Sequence, residues 1–385
     1  MYKIPSHKTI RSFGMVKAGL EDIVAGSSTI CNVDGKEGRL IYQGYDIHDL
    51  AEHSTFEEVV YLLWFGRMPN KGELEAIDKG LKTNRKIHDD VVKAMRTFPK
   101  EAQPMEVLRT AVSMLSMYDP DDRGEDREAN IRKATRLTAQ VPTVVAYWDN
   151  IRKGKEPLAP REDLSVAANF LYMLNQKEPD QLATKSIDIA LILHADHELN
   201  ASTFAARVAA STLSDFHSAI TAAIGTLKGK LHGGANQEVI EMLLKIEDPK
   251  KTLPYVQKMI EERKKISGFG HRVYKTEDPR ATHLRKMSEE LGKVKNELKW
   301  FQMSREIEQY ILQEKKLYAN VDFYSASVYY MLGIPTDLFT PVFAISRMSG
   351  WSAHVLEQYN DNRLIRPRAE YVGPNNLTYK PVGER

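Results

Sequence analysis

An almost unbroken succession of helical apolar patterns constrains the fold of this chain more than any other feature. Beyond residue 45, apolar side chains recur every three to four residues, and no stretch keeps the two-residue alternation of a half-buried strand. The first pattern runs from Phe56 to Trp64, and Pro69 predicts that this helix ends near Gly66. Further helices are predicted at residues 103–117, 128–150, 163–175, 183–194, 199–214, 217–228, 253–265, 281–292, 298–314, 323–332 and 338–359. The sequence therefore predicts a nearly all-α fold.

A short stretch before residue 45 has strand character instead. Residues Thr29–Val33 and Arg39–Tyr42 flank a turn sequence, Asp34–Gly38, that contains two glycines. This arrangement predicts one small β-hairpin. At 385 residues, the chain is long enough for a large domain and a smaller one.

Small side chains crowd the predicted helix around Ala201–Ser211. A helix without a strongly polar face is buried in a large core or in a subunit interface. Since closed two-fold assemblies are the commonest oligomers, a homodimer is the favoured interpretation.

The charge balance argues against some classes of partner. The chain carries 54 basic and 52 acidic residues, a net charge of +2, so its overall charge indicates neither nucleic acid nor a membrane surface as a partner. No window approaches eighteen uninterrupted apolar residues. The lone cysteine, Cys31, excludes an internal disulfide and fits a reducing cytoplasm. Any recognition of anions must therefore be local.

The segment Gly268–Arg280 holds the most concentrated chemistry. Two glycines, Gly268 and Gly270, allow the backbone to come close to a ligand, and His271 follows them directly. Histidine exchanges protons near neutral pH, and Arg280 can grip a carboxylate or phosphate with two parallel hydrogen bonds. The segment therefore predicts a site for an anionic substrate.

Two other histidine motifs accompany this segment. His232 precedes Gly233-Gly234 and a helical stretch. The dipole of that helix would keep the imidazole neutral and able to donate a hydrogen bond to a carbonyl. The alternative is that the two glycines only allow close helix packing and His232 has no chemical role. His194 and His197 lie three residues apart, and so on one predicted helical face. Without an HExxH order or a supporting cysteine, no metal site is expected there, and one histidine orienting a substrate is favoured.

Three further positions have two interpretations each. Asp322 precedes a helical run and is either an N-cap or a general base. Arg347 lies among apolar residues and needs an acidic partner or a bound anion. Arg366, clustered with Arg363 and Arg368, belongs either to a solvated basic tail or to an anion clamp.

Taken in order, these motifs resemble those of the citrate synthase family. The resemblance extends from about residue 19 to residue 373 and is to the short, homodimeric bacterial or archaeal type. The motifs are GLEDIVAG at 19–26, GRLIYQGYDI at 38–47, HADHE at 194–198, LHGGAN at 231–236, the segment 268–280, NVDFYS at 320–325, SRMSGW at 346–351 and RLIRPRAEYVG at 363–373.

The resemblance implies a two-domain, all-α fold and a reaction. Residues 1–232 and 329–385 would form a large domain, and residues 233–328 a small domain that closes over the substrate. The chain would condense acetyl-CoA with oxaloacetate and hydrolyse the resulting thioester to citrate and CoA, a step of the tricarboxylic acid cycle. No cofactor or metal would be needed beyond the CoA thioester, which is a substrate.

The resemblance also implies residue roles. Asp322 would remove a methyl proton from acetyl-CoA, His232 would donate a hydrogen bond to the thioester oxygen, and His271 would polarise the ketone of oxaloacetate. The oxaloacetate carboxylates would be held by His197, Arg280, Arg347 and, from the partner subunit, Arg366. The residues expected beside CoA are Ile266, Ser267, Gly268, Phe269, Gly270, Arg272 and Lys275.

Three other functions are alternatives. A 2-methylcitrate synthase would use propionyl-CoA with the same residues, and one methylene in a pocket changes discrimination by only about 1–3 kcal/mol. A metal-dependent hydrolase would centre on His194, His197 and His232. A helical binding protein without catalysis would use none of them.

Overall fold

The structure is a computed structural model that describes residues 18–20 and 23–385. It forms two compact units, of which one comprises residues 28–364. The other comprises the chain ends, up to residue 27 and from residue 365 onwards. Among the described residues of this second unit, the regular elements are short 3-10 turns at Ala18–Leu20 and Val382–Glu384. Of the predicted site residues, only Arg366 belongs to the second unit.

A small antiparallel sheet lies at the start of the larger unit. Its strands, in the order β1-β2-β3, are β1 (Cys31–Asp34), β2 (Arg39–Tyr42) and β3 (Tyr45–Asp46). The Asp34 carboxylate accepts hydrogen bonds from the N–H groups of Lys36 and Glu37 at 2.9 and 3.0 Å, which shapes the turn between β1 and β2. The predicted hairpin is confirmed, and β3 adds a two-residue strand that the pattern does not predict.

The described part of this unit contains sixteen α-helices. They are α1 (Ile47–His53), α2 (Phe56–Phe65), α3 (Lys71–Thr83), α4 (Asp89–Thr97), α5 (Pro104–Leu115), α6 (Arg127–Arg152), α7 (Val166–Asn175), α8 (Gln181–His194), α9 (Ala201–Ser211), α10 (Phe216–Leu227), α11 (Ala235–Ile246), α12 (Thr252–Glu261), α13 (Pro279–Val294), α14 (Lys299–Lys315), α15 (Val321–Met331) and α16 (Phe339–Asn360). The apolar patterns predicted α2, α5–α10 and α12–α16. The short or strongly charged helices α1, α3 and α4 were not predicted, and α11 was expected only as a helical stretch after Gly234.

Local chemistry sets both ends of α2, and the end near Gly66 is the one that the sequence predicts. The Thr55 side chain accepts from the N–H of Glu58, and the Glu58 carboxylate accepts from the N–H of Thr55 at 2.8 Å, which forms a capping box. The helix ends where Gly66 adopts a left-handed conformation with φ of 74°.

Helix α16 lies at the centre of the core. Every residue from Phe339 to Leu356 is buried, and the helix packs against α2, α6, α8, α9 and α10. Helix α9 packs along α10, where small side chains allow a close approach. This packing brings the end of α8, the start of α9 and the middle of α16 together, and two of the predicted motifs, HADHE and SRMSGW, lie there.

Candidate active site

The glycine–histidine segment is an irregular connection between α12 and α13, held in place by the residues that precede α15. The carbonyl oxygens of Gly268 and Gly270 accept hydrogen bonds from the main-chain N–H and the side-chain amide of Asn320, each at 2.9 Å. This pairing places the loop that carries His271 beside the first turn of α15, which carries Asp322.

Protein side chains, and not a ligand, occupy the space in which a Cβ of residue 268 would lie, so this position requires glycine. Its φ is +86°, and a Cβ added there would lie 2.8 Å from side-chain carbons of both Phe323 and Val239. Gly270 also has a positive φ, +74°, but an added Cβ would meet only Leu317, at 3.7 Å. The space for a ligand that the sequence predicts beside the glycines is therefore open at Gly270 and closed at Gly268.

The hydrogen bonds of His271 define its tautomer. Its Nδ1 accepts from the main-chain N–H groups of Val273 and Tyr274 at 3.0 and 3.1 Å. Burial, followed by the charge of Arg280, lowers the pKa of His271 to about 4, so the ring is neutral at pH 7. A neutral ring whose Nδ1 accepts carries its proton on Nε2, where it can be donated to a substrate oxygen.

Two further rings enclose His271. The ring centroids of His197 and Tyr274 lie 5.1 and 4.7 Å from that of His271. The Nε2 of His197 and the hydroxyl of Tyr274 are buried and have no hydrogen-bond partner among the described residues. Burial also lowers the pKa of His197 well below its usual value. Two polar atoms are thus available to a substrate beside His271.

The start of α9 contacts His232 and sets its tautomer. Its Nε2 lies 3.3 Å from the main-chain nitrogen of Ser202, which donates to it, and 2.8 Å from the Ser202 hydroxyl oxygen. Burial, with a smaller contribution from Arg347, lowers the pKa of His232 to about 4. The sequence predicts that His232 lies at the N-terminus of the helix after Gly234. In the structure, the helix N-terminus that its imidazole contacts is that of α9. Because Nε2 accepts, the donor proton of His232 is on Nδ1.

Asp322 is not the N-cap of α15. That position belongs to Asn320, whose side-chain oxygen accepts from the N–H of Asp322 at 3.0 Å. The Asp322 carboxylate has no hydrogen-bond or ion-pair partner within reach among the described residues, and burial raises its pKa to about 6. A carboxylate with a raised pKa in a desolvated position suits a general base.

Arg280 is buried and already paired. Its Nε and Nη2 donate to the two oxygens of Asp278 at 2.9 and 2.8 Å. Burial alone would lower the pKa of Arg280, but the Asp278 carboxylate raises it. Asp278 also accepts from the N–H of Val321 at 3.1 Å, which ties the start of α13 to the start of α15. One edge of the Arg280 guanidinium remains for an anion.

Arg347 is buried on α16 without a carboxylate within 4.0 Å among the described residues. Its Nε donates to the main-chain oxygen of His194 at 2.7 Å, and its guanidinium lies 4.7 Å from the ring centroid of Phe343. A buried guanidinium with free N–H groups and no acidic partner is suited to binding an anion. This agrees with the second of the two interpretations that the sequence allows for Arg347.

His194 and His197 do not share a helical face, so that prediction is wrong. Helix α8 ends at His194, and His197 lies in the connection to α9. The Nδ1 of His194 donates to the Ala190 oxygen at 2.8 Å, which makes His194 structural. The one grouping of potential metal ligands among the described residues includes neither histidine.

The charges of Arg280 and Arg347 influence the pKa values of the other candidate site residues. After burial, Arg280 has the largest influence on the pKa of His197, His271 and Asp322, whereas Arg347 is the next influence on the pKa of His232. Two guanidinium groups, three neutral imidazoles and one carboxyl group thus lie close enough together for the arginines to influence the ionisation of the others. This arrangement can bind a small molecule with two carboxylates and donate hydrogen bonds to two developing oxyanions.

The remaining predicted residues lie outside this cluster. Arg272 and Lys275 are exposed, and the Lys275 ammonium donates to the Arg272 carbonyl at 3.4 Å. Ser267 is buried, and its hydroxyl donates to the Glu238 carboxylate, whereas Ile266 and Phe269 are partly buried. Arg366 is exposed, in the unit formed by the chain ends.

Sequence reasoning missed the supporting residues Tyr274, Asp278 and Ser202. For Asp278 a signal exists, because an aspartate before Pro279 at a helix start is typical of an N-cap, and Asp278 accepts from the N–H of Arg280 at 3.1 Å. For Ser202 no local signal exists, since its contact with His232 is made by the packing of α9.

The small sheet supports the site from behind. The main-chain N–H of Lys275 donates to the Gly35 oxygen at 2.8 Å, and the Tyr42 hydroxyl donates to the Asp196 oxygen at 2.9 Å. A Cβ added to Gly35 would overlap the main-chain oxygen of Val273. The hairpin turn thus contacts the loop directly after His271, and β2 contacts the residue before His197.

We expect Gly35→Ala to destabilise the chain by about 1–3 kcal/mol, as overpacked sites do, and to raise KM for the substrate that His271 contacts. Thermal unfolding and steady-state kinetics measure the two effects. Gly72→Ala is the matched control, since an added Cβ there meets only Asn70, at 3.6 Å. Equal unfolding temperatures of the two variants would contradict the supporting role of the hairpin.

Comparison with known proteins identifies the family. The family pattern described as "Citrate synthase, C-terminal domain" matches residues 19–368. Citrate synthase 2 of Bacillus subtilis is 52% identical over 368 residues, covering 95% of this chain and 98% of that protein. A 2-methylcitrate synthase of Shewanella oneidensis is 40% identical, covering 96% of this chain and 98% of that protein.

A solved structure shows the same fold. The citrate synthase of the thermophilic archaeon Thermoplasma acidophilum was solved as a ternary complex with carboxymethyl coenzyme A and oxaloacetate. It has a TM-score of 0.91 to this chain at 33% identity, with 96% of this chain and 100% of that chain covered. None of the helices in the described residues is long and apolar enough to cross a membrane. The predicted all-α fold and the predicted family are both confirmed: the chain belongs to the citrate synthase family.

Proposed function

We propose that this chain condenses acetyl-CoA with oxaloacetate and hydrolyses the resulting citryl-CoA to citrate and CoA. As a member of the citrate synthase family it is a transferase. The observation that carries the proposal is the pairing of a carboxylate of raised pKa, Asp322, with two neutral imidazoles whose donor atoms are defined, His232 and His271.

The condensation needs a base and two hydrogen-bond donors. The Asp322 carboxylate takes a proton from the methyl carbon of acetyl-CoA, and the electron pair moves onto the thioester oxygen, which receives the Nδ1–H of His232 as a donor. The enol carbon then attacks the ketone carbon of oxaloacetate, whose oxygen becomes an alkoxide that His271 meets with its Nε2–H. Because both imidazoles are neutral before reaction, their donors are in place without a proton having to be gained.

The two carboxylates of oxaloacetate fit the cationic part of the site. Arg347 offers its free N–H groups, Arg280 offers the edge that Asp278 leaves open, and His197 offers the buried Nε2. The exposed Arg366 is proposed as a further clamp on these carboxylates, acting across a homodimer interface. The half-exposed small residues of α9 support such an interface.

CoA is proposed to lie along the turn at residues 266–270. The open space beside Gly270 supports this position, and the exposed side chains of Arg272 and Lys275 are available to its phosphates. The named ligands of the Thermoplasma acidophilum relative, carboxymethyl coenzyme A and oxaloacetate, agree with both subsites.

The site is proposed to close by domain movement. His271, Arg280 and Asp322 belong to residues 233–328, whereas His197 and Arg347 belong to the proposed large domain of residues 1–232 and 329–385. Closure would join the base to its substrate and exclude water during enolisation. We further propose a cytoplasmic enzyme that uses no cofactor other than its substrates.

Release of free thiol from acetyl-CoA, measured with and without oxaloacetate, tests the proposal. We expect thiol release only when oxaloacetate is present, and no change when a chelator is added. Absence of oxaloacetate-dependent thiol would overturn the proposed reaction, and a loss of activity with chelator would restore the hydrolase alternative.

A 2-methylcitrate synthase remains the second candidate because a relative of that name is 40% identical over 373 residues. Comparison of kcat/KM for acetyl-CoA and propionyl-CoA separates the two. We expect the higher value with acetyl-CoA, and a clear preference for propionyl-CoA would make the second candidate the correct one.

A further inference from the structure

A second group of potential ligands lies away from the active site. One ligand atom each from Asp122, Asp215 and His217 lies within 4.8 Å of the other two. Asp122 belongs to the connection between α5 and α6, Asp215 is the N-cap of α10, and His217 is in the first turn of α10. The group therefore joins a surface connection to the start of a core helix.

His217 is buried without a hydrogen bond. The residue is 1% exposed, and neither ring nitrogen has a hydrogen-bond partner among the described residues. The Oδ2 of Asp119 lies 3.6 Å from its Nε2, too far for a hydrogen bond, and both oxygens of Asp119 already accept from Arg136, at 2.6 and 2.8 Å. Since a buried polar group without a partner is costly, an imidazole in this position calls for a ligand.

The positive side chains around the group are engaged elsewhere. Arg132 pairs with Asp121 at 2.6 Å, and Arg136 pairs with both Asp119 and Asp121. The ammonium of Lys133 donates to the Gly124 carbonyl at 2.6 Å.

The two carboxylates of the group lack a cation. Neither Asp122 nor Asp215 has a basic side chain within 4.0 Å in the part of the chain that the structure describes. One oxygen of Asp215 accepts from the N–H of Ser218 at 2.8 Å and the other accepts from the Ser218 hydroxyl, which still leaves lone pairs on both oxygens. The Lys133 ammonium, held at the Gly124 carbonyl, offsets one of the two carboxylate charges at most, so the group keeps a net negative charge that a divalent cation would neutralise.

We propose that Asp122, Asp215 and His217 bind a divalent transition metal ion of the zinc type. An imidazole with two carboxylates suits Zn²⁺ and similar ions, whereas Ca²⁺ and Mg²⁺ prefer oxygen ligands alone. Ligands at about 2.0–2.2 Å from a zinc ion are at most about 4.4 Å apart, so small side-chain rotations complete the site. Such an ion would join the connection between α5 and α6 to α10 and would take no part in the condensation.

Titration of tag-free protein, stripped with a chelator and dialysed, with Zn²⁺ in a calorimeter tests the site. We expect one Zn²⁺ per chain, and at least about 10-fold weaker binding in Asp122→Asn, since even loss of a group that only orients a ligand typically costs 10–100-fold. Glu125→Gln, an exposed change in the same connection, is the control and should bind as the unchanged chain does.

Substitution with Co²⁺ gives a second readout. The visible absorption of the bound ion should indicate mixed nitrogen and oxygen ligands and should be lost in His217→Gln. Equal Zn²⁺ affinity of the unchanged chain and Asp122→Asn, no binding at about 100 µM Zn²⁺, or binding of Ca²⁺ as tight as that of Zn²⁺ would each overturn the proposal. Oxaloacetate-dependent thiol release should be the same in Asp122→Asn, so failure of this site and failure of the proposed reaction are distinguishable.

Discussion

Replacing Asp322 by asparagine is expected to lower kcat by about 10²–10⁴-fold, the usual contribution of a general base. The amide keeps the size and the backbone contacts of the side chain but cannot accept the methyl proton. Oxaloacetate binding should be retained, since Arg280, Arg347 and His197 are unchanged. Steady-state kinetics and calorimetric titration with oxaloacetate measure the two properties.

The pH dependence of kcat/KM in the unchanged chain should report the ionisation of Asp322. With a pKa of about 6 in the free protein, Asp322 is ionised above that pH and protonated below it. The value of kcat/KM should therefore fall as the pH drops through about 6. His232 and His271, with pKa values of about 4, stay neutral across this range and should contribute no titration there.

The stability of the Asp322→Asn variant provides the control. Because the folded-state pKa of Asp322 is raised, the folded chain holds its proton more strongly than the unfolded chain, so stability falls as the pH rises from about 4 to about 6 and the full loss is present above pH 6. The variant should therefore unfold at an equal or higher temperature than the unchanged chain at pH 8. Asp49→Asn, on the exposed face of α1, controls for the amide change. Loss of oxaloacetate binding would show that Asp322 is structural.

Replacing His232 by alanine is expected to lower kcat by about 10²–10³-fold, the effect of removing one preorganised oxyanion donor. The main-chain N–H of Ser202 fixes the donor proton of His232 on Nδ1, and alanine has no group to take its place. Since the donor acts on the thioester oxygen as charge develops, KM for oxaloacetate should change little.

Ser202→Ala is the matched control for His232→Ala. It removes the hydroxyl 2.8 Å from His232 but keeps the main-chain N–H that sets the tautomer. We expect a loss in kcat of less than about 10-fold, well below that of a removed donor. Similar losses in the two variants would show that the hydroxyl, rather than the start of α9, controls the imidazole.

The fold could be predicted wherever a helix carries a long apolar stripe. Helix α16, with buried residues throughout its core-facing length, and the capped helix α2 were both predicted from period and stop signals. Helices α1, α3 and α4 were missed because they are short or mostly charged, so that tertiary packing rather than a strong apolar pattern stabilises them. Strand β3 has only two residues, too few for any alternation.

The residues of the candidate site could be predicted from the sequence, but the hydrogen bonds between them could not. Motifs in the sequence indicated His232, His271 and Asp322, whereas the tautomers of the two histidines depend on contacts with Ser202, Val273 and Tyr274 that only the folded chain makes. The choice between N-cap and base at Asp322 likewise depended on Asn320, two residues earlier, taking the cap.

The contact between the hairpin and the His271 loop also bears on how the chain assembles during synthesis. Gly35 leaves the ribosome about 240 residues before Lys275, its hydrogen-bond partner. At roughly 5–20 residues per second, the hairpin waits on the order of 10–50 s for that partner. The proposed catalytic centre is therefore among the last regions to assemble, and α16, which completes the core, arrives later still. A nascent chain stalled before α16 would expose the apolar faces of α2, α6 and α8, and it would depend on chaperones until translation resumes.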